Sequence, residues 1–147
     1  MDSSPAPGAR GAFSESDPYG TGVVVGRPRV WLRIEGLALL GAALVAYART
    51  GQAWWIVPTT LLLPDLGALG YLASRSTGAW LYNLTHTTSL PLALVGFGLW
   101  QQHALAVALA VVWLAHIGMD RVMAYGMKYD DEPGHTHLGL HGHQQVT

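Results

Sequence analysis

The sequence predicts an all-α integral membrane protein, a four-helix bundle with short loops and both termini cytoplasmic. Three observations carry this. Half of the 147 residues are hydrophobic and only 12% are charged, against roughly 25% charged in an average soluble domain. The mean hydropathy is +0.26, and the apolar residues concentrate between positions 30 and 127. Inside that stretch lie four apolar runs, each near the roughly 20 residues that cross a bilayer as helix. The absence of Cys excludes disulfides, thiolate zinc sites and a Cys nucleophile. A net charge of −1 removes the basic footprint of a nucleic-acid partner. No Walker or dinucleotide-type glycine fingerprint stands out among the 18 Gly.

Residues 1–28 are rich in Ser, Pro, Gly and Ala and read as a disordered cytoplasmic tail. They hold no continuous apolar segment of the kind a cleavable signal peptide needs. The transmembrane domain is expected over 29–129. Its first span, 30–48, is apolar except for Arg33 and Glu35. The second, 53–74, is apolar except for Asp65 and two Thr. The third, 77–100, carries a polar knot from Asn83 to Ser89, and the fourth, 104–123, carries His116 and Asp120. Helix is expected to run on to about Met127, with Gly126 loosening its end. Residues 130–147 form a His-rich cytoplasmic tail, in which His135 and His137 are able to fold back over the cytoplasmic mouth. His141 and His143 read as solvated, and His103 as an outer-loop residue. A soluble bundle would need polar outer faces, and Leu37–Ala48 and Ala104–Ala115 offer none beyond the Tyr47 phenol. A β-barrel would need alternation, which is absent.

Orientation follows from positive charge. With four spans, Arg10, Arg27, Arg29, Arg75, Arg121 and Lys128 fall on one side and Arg49 alone on the other. That side, with both termini and the Arg75 turn, is expected to be the cytoplasmic one. Trp31 and Trp80 suit the inner aromatic belt, Trp54, Trp55 and Trp100 the outer one, and Trp113 the bundle interior.

Straight helices rising about 1.5 Å per residue put Asp65 and His86 roughly 13 Å from the cytoplasmic face. The same arithmetic puts Glu35 and His116 roughly 7 Å deep, with Asn83 between the layers and Asp120 at the rim. Every strongly polar span residue therefore belongs to the inner half. An ionisable group at the bilayer centre costs about 2.5–3.5 kcal/mol on insertion scales, so Asp65 is expected to face the bundle beside His86 and His116. Pro64 frees the carbonyl of Thr60, and Pro91 that of Thr87. Loosened backbone is tolerated at membrane depth where it is buried or lines a cavity. Thr85, Thr87, Thr88 and Ser89 read as interhelical glue.

The stretches Leu32-Arg33-Ile34-Glu35-Gly36, Pro64-Asp65-Leu66, Gly70-Tyr71, Tyr82-Asn83-Leu84-Thr85-His86, Ala115-His116-Ile117-Gly118-Met119-Asp120-Arg121, Tyr125-Gly126-Met127-Lys128-Tyr129 and Thr136-His137-Leu138-Gly139 occur in that order. Over about residues 30 to 139 the chain resembles a family of small bacterial membrane proteins catalogued only as a domain of unknown function. Ala124 stands where Gly is expected, and Gly67 where Ser is expected. The resemblance implies a four-helix membrane protein and draws attention to Glu35, Asp65, Asn83, His86, His116, Asp120 and His137. It implies no reaction.

Carboxylates and imidazoles in a low-dielectric cleft suit acid–base chemistry, so a membrane-embedded enzyme acting on a lipid-soluble substrate is the leading expectation. In one form His86, His116 and Asp65 or Asp120 bind a divalent metal ion that activates water, with His137 a weaker candidate ligand. In another a protonated Asp65, oriented by His86 or Asn83, initiates cyclisation or isomerisation of an isoprenoid. A proton-coupled carrier is a further alternative, although the polar positions stop halfway across. A non-catalytic partner or scaffold protein is the last, and interhelical polar contacts average only about 0.6 kcal/mol.

Overall fold

The structure, a computed structural model, describes residues 22–141. The expectations for residues 1–21 and for His143 lie outside them. The fold is all-α, with five α-helices, one 3-10 helix and a terminal two-stranded hairpin among the described residues. Helix α1 is Gly26–Arg49 and α2 is Ile56–Thr60, followed by the 3-10 helix Leu63–Leu72. Helices α3, α4 and α5 are Arg75–His86, Ser89–Trp100 and Ala104–Val122. Strands β1, His135–Thr136, and β2, Gly139–Leu140, pair antiparallel.

The first and fourth apolar runs form unbroken helices, each long and apolar enough to cross a membrane. The second and third runs are broken where proline removes a donor. Pro64 lies in the opening turn of the 3-10 helix, and Thr87 turns to extended backbone (φ −76°, ψ 141°) ahead of Pro91. The hydroxyls around that break stay local. Ser89 N donates to Thr87 Oγ1, and Thr85 Oγ1 donates back to the Leu81 and Tyr82 carbonyls of its own helix. These bonds stay within one segment rather than join helices, which corrects the reading of Thr85, Thr87 and Ser89 as interhelical glue.

Helix α5 is the hub, packing on α1, α4, α2 and the 3-10 helix. Its contact with α1 is backbone on backbone. A Cβ at Gly118 would lie 2.7 Å from Leu40 N and 2.8 Å from Gly36 O, the close approach that small residues allow between apolar helices. Farther along, Tyr47, Ile56, Ala108, Val111 and Val112 form a core. The Tyr47 hydroxyl donates to Ala53 O at 2.6 Å, closing the α1–α2 turn. His103 is more than a loop residue, because its Nδ1 accepts from Ala106 N and caps α5. The 3-10 helix packs on α3 through Gly67 and Gly70. A Cβ at Gly67 would come within 2.5 Å of Thr85 Oγ1.

Helix α5 stops at Val122, short of the expected Met127. Ala124 adopts φ +66°. Tyr125 N bonds Asp120 O and Ala124 N bonds Arg121 O, the paired bonds of a Schellman ending. The chain then turns back. Lys128 bridges to Thr136, Leu138 is buried, and His137 Nδ1 accepts from Met127 N at 2.9 Å. His141 is not a solvated tail residue, since it stacks on Tyr125 and contacts Ala124 O. Gly22–Val25 is not a loose tail either. Val24 N bonds His137 O, and the Tyr129 hydroxyl donates to Gly22 O.

Two predictions follow from this end of the molecule. A left-handed alanine is strained by about 1–2 kcal/mol, so Ala124→Gly raises stability by about 1 kcal/mol, less the entropy glycine adds to the unfolded chain; denaturant unfolding in detergent measures it. Burial, together with the Arg121 charge, pushes the His137 imidazole below its ordinary pKa of 6.5. Its contribution is complete above that value and is lost as pH falls through the lowered one. The Asp131 carboxyl is held below its ordinary 3.8 by the bond to His135, so that contact persists over the same window. Hydrogen exchange of residues 124–141, corrected for intrinsic rates, rises between pH 7 and pH 5 while exchange in α1 and α5 does not.

Candidate metal centre

Four side chains from three elements converge. The 3-10 helix carries Asp65, the last residue of α3 is His86, and α5 presents His116 and Asp120 one turn apart. His86 Nε2 lies 3.0 Å from His116 Nε2, 3.4 Å from Asp65 Oδ1 and 3.3 Å from Asp120 Oδ2. His116 Nε2 lies 3.5 Å from Asp65 Oδ1 and 3.7 Å from Asp120 Oδ2. All four ligand atoms fall within 4.8 Å of one another. The imidazole side chains are 4% and 1% exposed and Asp120 11%, whereas Asp65 is 46% exposed, so the cluster opens on its Asp65 side.

The proton positions follow from the partners. His86 Nδ1 sits 2.8 Å from Tyr82 O. A carbonyl only accepts, so Nδ1 carries the proton and Nε2 keeps its lone pair, aimed at the cluster. His116 Nδ1 is buried with no hydrogen-bond partner among the described residues. The Tyr82 ring stacks on His86 with centroids 3.6 Å apart, and its hydroxyl donates to Asp120 Oδ2 at 3.1 Å. One tyrosine thus orients a ligand from each of two helices. Lys128 Nζ lies 4.2 Å from the centroid of the same ring and donates to Pro133 O. Burial lowers the Lys128 pKa, against the opposing charges of Asp65 and Asp120.

Ligand bonds of about 2.0–2.2 Å at tetrahedral angles separate neighbouring ligand atoms by about 3.3–3.6 Å. Five of the six separations here are 3.0–3.7 Å. The donor set, two imidazole nitrogens and two carboxylate oxygens, is one that zinc and similar divalent ions take.

The sequence expectations divide at this point. Asp65, His86, His116 and Asp120 come together. Asp120 belongs to the cluster rather than the rim, and the two depth layers merge into one. The straight-helix arithmetic fails because the second run is largely 3-10, which rises about 2.0 Å per residue, and the third stops at His86. Glu35 is exposed on α1 and stays outside the cluster. Its neighbour Gly36 faces α5, and one residue along a helix turns about 100° away. Asn83 lies outside the four-residue group and staples the backbone of Lys128. Its amide nitrogen donates to Lys128 O at 2.9 Å and its oxygen accepts from Lys128 N at 2.7 Å, as a paired strand would. His137 stays out of the four-residue group, committed to Met127 N. Tyr82 and Lys128 escaped the sequence reading, although Tyr82 stands one helical turn before His86 on the same face.

The family model described as Domain of unknown function (DUF4260) matches residues 29–140. Neither a curated protein nor a solved structure matches the chain.

Asn83→Ala leaves the Lys128 backbone groups unpaired and destabilises docking of the C-terminal segment by about 1–3 kcal/mol. Limited proteolysis between Lys128 and Leu140 measures this as faster cleavage.

Proposed function

This chain belongs to the DUF4260 family, and we propose that it is a membrane-embedded divalent-metal protein that hydrolyses a lipid-soluble substrate. The observation that carries the reading is the tetrahedral spacing of the four ligand atoms around His86 Nε2 and His116 Nε2. In a bilayer, α1 and α5 span as unbroken helices, while α2 with the 3-10 helix and α3 with α4 make two broken spans. Helix α1 supports this, because only 17% of its most apolar stretch is buried, and Leu72, Leu99 and Trp100 are likewise exposed. In water that surface would be an aggregation liability, whereas in lipid it is a solvated face. The positive-inside distribution puts both termini and the Arg75 turn in the cytoplasm, so the cluster lies toward the inner leaflet.

His86, His116 and Asp120 would hold a divalent ion, which when bound would supply a water of lowered pKa as the nucleophile for hydrolysis. Hydrolysis of an acyl or phosphoryl bond would join the water oxygen to that centre, with Asp65 taking one water proton and passing it to the leaving oxygen as its bond breaks. Asp65 is the ligand suited to giving way to water, being the exposed member and the one carried on a 3-10 helix. His86 is fixed by Tyr82 O, and Asp120 by the Tyr82 hydroxyl.

Purified in detergent and titrated with Co(II) or Zn(II), the chain takes up one ion, with the visible bands of tetrahedral cobalt. His86→Ala and His116→Ala abolish uptake, and Tyr82→Phe weakens it by about 10–100-fold, as loss of an outer-shell partner does. A folded wild-type chain that binds no ion overturns the metal centre; turnover of an isoprenoid by metal-free protein establishes the acid-initiated alternative instead. Because the sequence holds no Cys, single introduced thiols report topology cleanly. Gly51→Cys and Gln102→Cys label from outside intact cells, and Ser76→Cys labels only after lysis.

A further inference from the structure

Next to the cluster lies a cavity of about 240 Å³ lined by Thr60, Leu63, Pro64, Thr85, Leu94, Leu109 and Trp113. It shares the elements that carry the metal ligands. Pro64 precedes Asp65, Thr85 precedes His86, and Trp113 is three residues before His116. On α5, positions 109, 113, 116 and 120 form one stripe, so a single helix face runs from the cavity wall into the cluster.

The polar groups of the wall are already used. Trp113 Nε1 donates to Thr85 O at 2.6 Å. Thr60 Oγ1 donates to Ile56 O, and Thr85 Oγ1 bonds carbonyls of its own helix. The donors of the wall are therefore all engaged, and most of the rest of it is hydrocarbon. The cavity sits between the two broken spans, beside Leu62, Leu63 and Leu66, which are exposed on the outer surface of the 3-10 region. Its volume is below the roughly 300–1,000 Å³ of pockets that enclose a drug-sized ligand, which fits one chain rather than two.

From these features we propose that the cavity holds the hydrocarbon chain of the substrate, a single-chain lipid with its hydrolysable bond at the end that reaches Asp65. The proposal rests on the metal-hydrolase reading and names the substrate class of that site. The chain enters sideways from the bilayer past the 3-10 helix. Its apolar length is buried against Leu94, Leu109 and Trp113, and its polar end stays with the exposed carboxylate. A chain arriving from the bilayer is already out of water, so selection rests on close packing against the cavity wall, while the cluster acts on the bond.

The test uses the full chain in detergent, loaded with Zn(II), and a fatty acid bearing a terminal alkyl diazirine. Photolabelling maps to Leu63, Leu94 or Leu109, saturates, and is competed by unlabelled fatty acid. Leu109→Trp, which fills the cavity, lowers that labelling about tenfold by excluding the chain from the space it packs in. Leu94→Phe does the same should the first variant misfold. Zinc content of both variants stays at the wild-type level. Labelling that is non-saturable and spread over Leu37, Leu69 and Leu99, or that neither folded variant reduces, overturns the proposal. The two readings fail separately. Saturable cavity labelling without any zinc uptake keeps the chain site and removes the metal centre, whereas zinc uptake with non-saturable labelling keeps the metal centre and removes the chain site.

Discussion

Two imidazole nitrogens 3.0 Å apart, with two carboxylate oxygens against them, form an arrangement that a proton or a cation held between them makes favourable. Bare lone pairs repel, and the buried Asp120 carboxylate lacks the water that would screen it. A proton between the nitrogens meets part of this demand but leaves a buried Nδ1 on His116 unpaired. The divalent cation of the proposed function would answer both Nε2 lone pairs and both carboxylates, with His116 Nδ1 unpartnered among the described residues in either case. Much of the architecture serves this one convergence. The glycines at 67 and 70 bring the 3-10 backbone onto α3, which carries Asp65 to His86, and the Gly36–Gly118 contact braces α5 from behind.

Most of the fold was legible from simple signals. The apolar runs gave the helices, and Pro64 and Pro91 marked loosened backbone, but 53–74 and 77–100 were each read as one continuous span where the structure divides them. The end of α5 was not legible. Alanine is the best helix former, and nothing local announces that Ala124 will sit at φ +66°. That geometry is imposed from a distance, by the hairpin that has to return to Asn83. The site shows the same division. His86, His116 and Asp65 stood out as ionisable groups within apolar runs, where burial demands a partner. Asp120 was misplaced because helices drawn as straight rods do not merge layers. Glu35 was over-read from depth alone, without regard to which way α1 turns. Asn83 and His86 share a helix face, yet the amide reaches past the cluster to pair a backbone. That contact spans 45 residues of sequence and leaves no local pattern.

The C-terminal segment changes what the molecule is. Read as a tail it would be dispensable, but in the structure it closes the end of the bundle where the cluster lies. Lys128 spreads its charge over Tyr82, the same ring that orients His86 and Asp120. Arg75 at the start of α3 donates to Asp131 O, so the turn between the broken spans is tied to the segment as well. A polar cover of this kind shields a buried polar site from the aqueous side while leaving its lateral side open.

The bond from Val24 N to His137 O joins residues more than a hundred positions apart. A loop of that length closes late, because its entropy is recovered only when the helices between are already packed. The seam is therefore the final piece of assembly and the first to fray. Synthesis of the chain leaves the cluster uncovered until His137 emerges and docks, so the four side chains meet before the segment that covers them is in place.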